Sequence, residues 1–222
     1  MKVKTRLITF IFHSALLLTL NSCVTLPGYE NARITPMGER AWLIGTSYQS
    51  VEVRRDSMED KTVLTPLFVV ARRKGLTERI DYGTYFSSGA GVYGDLKVRI
   101  LGSNISSFSI ASGLGLGTTG FIGPNASYQG IIPIYTSWHL SDRFSLYFSP
   151  QASITWSNRE NRFLKSWIMN GGLEIGNRRK FVINISYSDN FGIDAGVGQA
   201  IDFGIAYKFP GMQKTLFLPK KR

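Results

Sequence analysis

The sequence predicts an all-β chain folded as an antiparallel, up-and-down transmembrane β-barrel of about ten strands, with eight as the alternative count. Three observations predict it: a dominant hydrophobic period of two, connections that alternate between tight turns and longer loops, and few charges. Of 222 residues, 43% are apolar, 13% aromatic and 18% charged, against roughly 25% charged in soluble domains. A water-facing surface is normally built from Lys, Glu, Asp and Arg, so part of this surface faces something else.

From Ala41 onward strands are expected at 41–54, 62–73, 76–87, 92–101, 107–117, 131–140, 143–156, 165–176, 180–187 and 199–209. The clearest is the last, where Ile201, Phe203, Ile205, Tyr207 and Phe209 alternate with Asp202, Gly204, Ala206 and Lys208. Phe144, Leu146, Phe148, Ala152, Ile154 and Trp156 alternate with Ser145, Tyr147, Ser149, Gln151, Ser153 and Thr155, and Phe108, Ile110, Leu114 and Leu116 with serine, alanine and glycine. No stretch after residue 22 has a helical period. Tight turns are expected at 73–75, 102–106, 141–142 and 177–179, and longer loops at 55–61, 88–91, 118–130, 157–164 and 188–198. Short turns on one rim, longer loops on the other and strands of about ten residues are the pattern of an outer-membrane barrel. Eight strands would result if 62–73 and 76–87 formed a hairpin outside the wall.

Alternation alone does not say which face is outside, because a soluble barrel with an apolar interior has the same period. Composition decides. The polar faces are largely Ser, Gly, Ala and Asn, which suits the crowded inside of a narrow barrel better than a hydrated surface. Trp42, Trp138, Trp156, Tyr207 and Phe209 sit toward strand ends, where a membrane interface holds aromatics. With the apolar set facing lipid, Arg79, Asp81, Asp95, Lys97, Arg99, Arg143, Glu174, Asp202 and Lys208 point inward, and ion pairs fill the lumen instead of a wide pore.

At the amino end Lys2, Lys4 and Arg6 precede an apolar run from Leu7 to Leu20. The run is too short to span a ~30 Å hydrocarbon core, and its basic flank is that of an export signal. The segment Leu20-Asn21-Ser22-Cys23 resembles the bacterial lipobox through Leu20, Ser22 and Cys23, departing from it at Asn21. The resemblance implies cleavage before Cys23, diacylglycerol on its sulfur and acylation of the new amino group. At ~0.8 kcal/mol per buried methylene such chains hold a protein on a membrane. Val24 lacks the Asp of the inner-membrane retention signal, which implies the outer membrane. The expected organisation is a lipoprotein signal peptide at 1–22, a lipidated extended tether at 23–40, a barrel domain at 41–209 and a basic tail at 210–222.

Taken together, Ala41 to Phe209 resemble the small bacterial outer-membrane β-barrel proteins, here joined to a lipoprotein amino terminus. Ala200 to Phe209 resemble their aromatic-ended carboxy-terminal assembly signal, with the departure that Pro210 to Arg222 follow it. Without residues 1–22 the chain keeps 23 Lys+Arg against 15 Asp+Glu, a net +8. An exported chain does not meet nucleic acid, and its basic residues are scattered, so outer-membrane lipid is the expected counter-charge.

No catalytic, cofactor-binding or metal-ligating residue is expected; Cys23 is the one expected modification site. One Cys and two His exclude a disulfide framework and a His/Cys zinc cluster. Gly115, Gly117 and Gly120 fit G-x-G-x-x-G, but Phe121-Ile122-Gly123-Pro124 breaks the helix a phosphate would need. His139 with Ser141 resembles the His and Ser, two apart on a strand, of outer-membrane lipid-A deacylases, but it lies on the short-turn rim, and a turn capped by Asp142 accounts for it. Asp81 and Asp95 stand on neighbouring strands among basic residues that favour salt bridges over acid/base chemistry. Arg54, Arg55, Asp56, Glu59, Asp60 and Lys61, with Arg159 and Arg162, place charge on the long-loop rim, where lipopolysaccharide phosphates or a surface partner would dock. The expected function is a non-enzymatic outer-membrane barrel lipoprotein, a structural or interaction component of the cell envelope. The alternatives are a lipid-tethered, lipocalin-like carrier of an apolar ligand and a lipid-A-modifying or proteolytic barrel enzyme.

Overall fold

The computed structural model describes residues 28–55, 58–88, 91–119, 127–157, 162–191 and 199–211. The expected signal peptide, Cys23, Asp56, Gly120, Arg159 and the tail from residue 212 lie outside the described residues.

Ten strands run β1 Arg40–Arg55, β2 Met58–Gly75, β3 Ile80–Ser87, β4 Gly91–Leu101, β5 Phe108–Thr119, β6 Ser127–Ser141, β7 Phe144–Ser157, β8 Arg162–Gly176, β9 Lys180–Phe191 and β10 Gln199–Pro210. Each pairs antiparallel with its sequence neighbours, and β1 closes the barrel on β10 from Ala41↔Pro210 to Val51↔Ala200. The hairpin proposed to lie outside the wall is instead part of it, since β2 pairs with both β1 and β3. Ten is therefore the strand number. Closure leaves no sheet edge, as a wall in hydrocarbon requires.

The apolar faces point outward. Ile201, Phe203 and Ile205 are each 53% exposed while Asp202, Gly204 and Ala206 between them are buried. The same phase holds on β6, where Ile132, Ile134 and Leu140 are exposed and Gln129, Ser137 and His139 buried. An apolar ligand cavity would need the opposite phase, so the lipocalin-like alternative falls. Aromatic pairs mark both rims, as the interfaces of a bilayer demand. Phe108–Trp138, Phe181–Tyr207 and Tyr207–Phe209 (5.3, 5.1 and 5.9 Å between centroids) lie near one end, and Trp156–Phe163 (4.6 Å) near the other.

Two connections differ from expectation. The turn expected at 73–75 lies at 76–79, where Leu76 and Thr77 donate to the Ile80 carbonyl and the Thr77 hydroxyl accepts from Arg79 and Ile80. Gly75 stays in the β2 ladder opposite Asp81. Its missing Cβ serves a close approach instead of a turn, because a side chain there would collide with the carbonyls of Thr35 and Pro36. The loop expected at 55–61 is mostly strand: β1 and β2 are 16 and 18 residues long and stay paired up to Arg55↔Met58. The connections 76–79, 102–107, 142–143 and 177–179 thus lie on the rim where β1 begins and β10 ends.

Ile205, near the middle of β10 and facing outward, is expected to be intolerant of charge. Ile205→Arg should destabilise the barrel in lipid vesicles by about 2–4 kcal/mol, read from the urea midpoint of unfolding.

Candidate functional site in the barrel lumen

A ten-stranded barrel is barely wider than its side chains, and the inner face is built to that constraint. Ser47, Ser109, Ser137, Ser145, Ser149, Ser153, Ser186 and Ser188 are buried along it. Glycines face tyrosines: a Cβ on Gly115 would strike the Tyr93 ring, one on Gly172 the Tyr147 hydroxyl and one on Gly204 the Tyr29 hydroxyl. Gly115 and Gly117 of the G-x-G-x-x-G pattern thus make room for Tyr93.

The segment 28–39, expected as an extended tether, is extended and lies inside this lumen. Tyr29, Ala32 and Ile34 are buried. The Gly28 amide donates to Asn170 Oδ1 (3.1 Å), and the Tyr29 hydroxyl to the Thr46 carbonyl (3.0 Å). With its amide turned to accept from Ser186, Asn184 donates to the Gly28 carbonyl (3.1 Å). Further along, Asn31 Nδ2 donates to Glu174 (2.7 Å), and the Thr35 amide to Asp81 (2.7 Å). Lys97 Nζ donates to the carbonyls of Asn31 and Arg33 (3.1 and 2.9 Å). The segment leaves at the short-turn rim through a single bridge, Met37 to Gly75, and a left-handed Gly38 (φ 77°) with open space around it.

Charge is arranged around that segment. On one wall Arg73 of β2 pairs with Asp81 of β3 and with Asp95 of β4 (2.6 Å), and donates to the Tyr85 hydroxyl (2.6 Å). Lys97 of β4 lies 3.7 Å from Asp81 and 5.3 Å from the centre of the Tyr135 ring. On the other wall Glu174 of β8 accepts from Lys180 of β9 (2.8 Å) and Lys208 of β10 (2.6 Å). Glu30 of the segment stands between, its Oε2 3.6 Å from Arg73, 3.6 Å from Lys97 and 3.8 Å from Lys208. Burial pushes the Glu30 carboxyl up, but Lys208, Arg73 and Lys97 outweigh it and hold it below the ordinary carboxylate range. A cavity of about 520 Å³ opens beside Glu30 at the short-turn rim, lined also by Arg33, Glu174, Lys180 and Lys208.

Of the residues expected inside, Asp81, Asp95, Lys97, Glu174 and Asp202 are buried there, and Lys208 joins them. Arg99 is half-buried and bonds Asn104 (2.9 Å). Arg79 and Arg143 are exposed, because both fall in turns that interrupt the alternation. Arg73, expected in a turn, lies in the lumen instead. Continuing the β2 period through Val69, Ala71 and Gly75 would have placed it inward. His139 is also inward, its Nε2 2.9 Å from Ser137 Oγ and its Nδ1 2.8 Å from Ser145 Oγ, while Ser141 is exposed and engaged with the Arg143 amide. The His139–Ser141 pair is thus not assembled.

No family model matches the chain, and no curated protein does. Among solved structures it is similar to an outer membrane channel from Pseudomonas putida F1, at 8% identity over 85% of this chain and 100% of that one, with a TM-score of 0.53. It is similar also to the translocator domain of the autotransporter NalP from Neisseria meningitidis, at 11% identity over 79% and 89% with a TM-score of 0.46. Ail, the attachment invasion locus protein of Yersinia pestis, is matched at 16% identity over 78% and 99% with a TM-score of 0.36. The fold is that of an outer-membrane β-barrel, closed and antiparallel with ten strands.

Arg73 holds two carboxylates in a water-poor interior. Arg73→Met is therefore expected to cost about 3–5 kcal/mol of stability, since breaking a buried pair leaves its partner charge uncompensated. Denaturant unfolding of the refolded barrel measures it.

Proposed function

We propose that the protein is a non-enzymatic outer-membrane β-barrel lipoprotein, a structural or interaction component of the bacterial cell envelope, held by its barrel and by acyl chains on Cys23. The observation that carries this is the phase of the wall: the apolar face is turned out toward lipid, and the polar face is consumed by ion pairs within. Asp81, Asp95 and Glu174 are engaged with Arg73, Lys97, Lys180 and Lys208, and both His139 nitrogens bond serines, which weighs against the enzyme alternative. The short-turn rim would face the periplasm. The opposite rim, with its connections 120–126 and 192–198 and the paired extension of β1 and β2, would carry contacts to lipopolysaccharide or a surface partner.

Labelled palmitate given to cells should enter the protein and co-fractionate with outer membrane. Cys23→Ser should abolish the label while the barrel keeps its heat-modifiable gel migration. A labelled Cys23→Ser protein, or none labelled at all, refutes the lipoprotein assignment. Lipid-A deacylation or peptide cleavage that disappears in His139→Ala or Asp81→Asn would refute the non-enzymatic one.

A further inference from the structure

The amino-terminal segment sets a carboxylate, Glu30, among the cations of the wall and brings Arg33 to the cavity beside Glu174. The walls contribute Arg73, Lys97, Lys180 and Lys208 against Asp81, Asp95 and Glu174, one cation in excess among these residues. Glu174 is gripped at 2.6–2.8 Å by Lys208 and Lys180. Glu30 is held loosely, at 3.6–3.8 Å from three cations on β2, β4 and β10. Three cations converging on one point from opposite walls form a receptor for an anion, occupied here by a side chain that is not part of the wall.

The occupant is attached in a way that permits it to leave. Residues 28–35 meet the barrel through polar contacts at Gly28, Asn31 and Thr35, which water can replace at small net cost, and through Tyr29 and Ala32, whose packing on Leu43, Val69 and Tyr147 and on Ala111 and Tyr135 favours the seated state. The fit is imperfect, as the buried Nε atoms of Arg33 and Arg73 make no hydrogen bond. The wall ladder from β1 to β10 is complete without the segment. Gly38, in the left-handed region with nothing within 4 Å of its Cβ position, supplies a pivot at the rim, and the 520 Å³ cavity reaches Glu30 from the same rim.

We propose that Arg73, Lys97 and Lys208 form an anion-binding site in the lumen, occupied in this state by Glu30, and that withdrawal of residues 28–36 about Gly38 exposes it on a path for small carboxylate- or phosphate-bearing solutes. The barrel is then a plugged anion conduit. The inference rests on the barrel crossing the membrane and is independent of lipid on Cys23.

The test is conductance of the full chain, purified from outer membranes and inserted in planar bilayers, with the insertion of each variant scored by heat-modifiable migration. Wild type should be closed most of the time in potassium chloride. Glu30→Ala and the isosteric Glu30→Gln should raise the open fraction at least about tenfold. The reversal potential in a salt gradient should lie on the chloride side, and added inorganic phosphate should lower the chloride current. Inserted Glu30 variants that stay as closed as wild type, cation selectivity, or a chloride current indifferent to phosphate would each overturn the proposal while leaving the membrane barrel intact. A chain that fails to insert at all overturns both.

Discussion

The space inside a ten-stranded wall has to be filled and made electrically neutral, and most of the remaining structure follows from that constraint. The tube is too narrow for bulk water to solvate its charges and too wide to close on small side chains alone. Tyrosines supply volume, and each of Tyr29, Tyr93 and Tyr147 lies where a glycine on a facing strand has given up its side chain. Asp81, Asp95 and Glu174 are placed to meet cations on neighbouring strands, from Asp81↔Lys97 in the β3–β4 register to Glu174 beside Lys180 at the β8–β9 turn, while Asp202 faces Gln49 and Ser186.

Wall and filling are held by different forces. The wall depends on backbone ladders that close around the barrel and on apolar side chains turned outward. The filling depends on polar side chains reaching Gly28, Asn31 and Thr35, on the packing of Tyr29 and Ala32 against inward side chains, and on a backbone bridge at Met37. A hydrocarbon-facing wall cannot surrender a strand without exposing backbone groups to lipid. The segment can leave the lumen without that penalty, so the part of the chain that seals the barrel is also the part least committed to it.

All ten strands were legible in the sequence because alternation in a membrane wall has no solvent-facing compromise: one face is lipid, the other lumen. The sign of the alternation came from Ser, Gly and Asn on the polar positions, and the exposure of Phe203 and Ile205 agrees with it. What failed had local causes. Gly75 looked like a turn residue, which moved the β2–β3 turn and took Arg73 out of the lumen, although Gly75 is small because Thr35 and Pro36 pass over it. Residues 28–36 carry no periodicity because a chain enclosed by wall on every side has no face to distinguish. Nothing in their local pattern separates such a plug from a tether, and only Glu30, an acidic residue just upstream of a basic lumen, carried a signal of charge balance.

The position of the plug also bears on the proposed lipid. From Cys23 to Gly28 is five residues, a reach of at most about 18 Å. Gly28 is held at Asn170, six residues inside the Gly176 end of β8, about 20 Å along the strand. Acyl chains on Cys23 seated in the periplasmic leaflet and Gly28 seated on Asn170 would draw on the same short stretch of chain, which would have to descend the lumen and pass around the rim. On these distances an anchored Cys23 and a seated Gly28 compete for the same stretch, and the closed state expected of the full chain requires the contacts at Gly28, Glu30 and Asn31 to outweigh that pull.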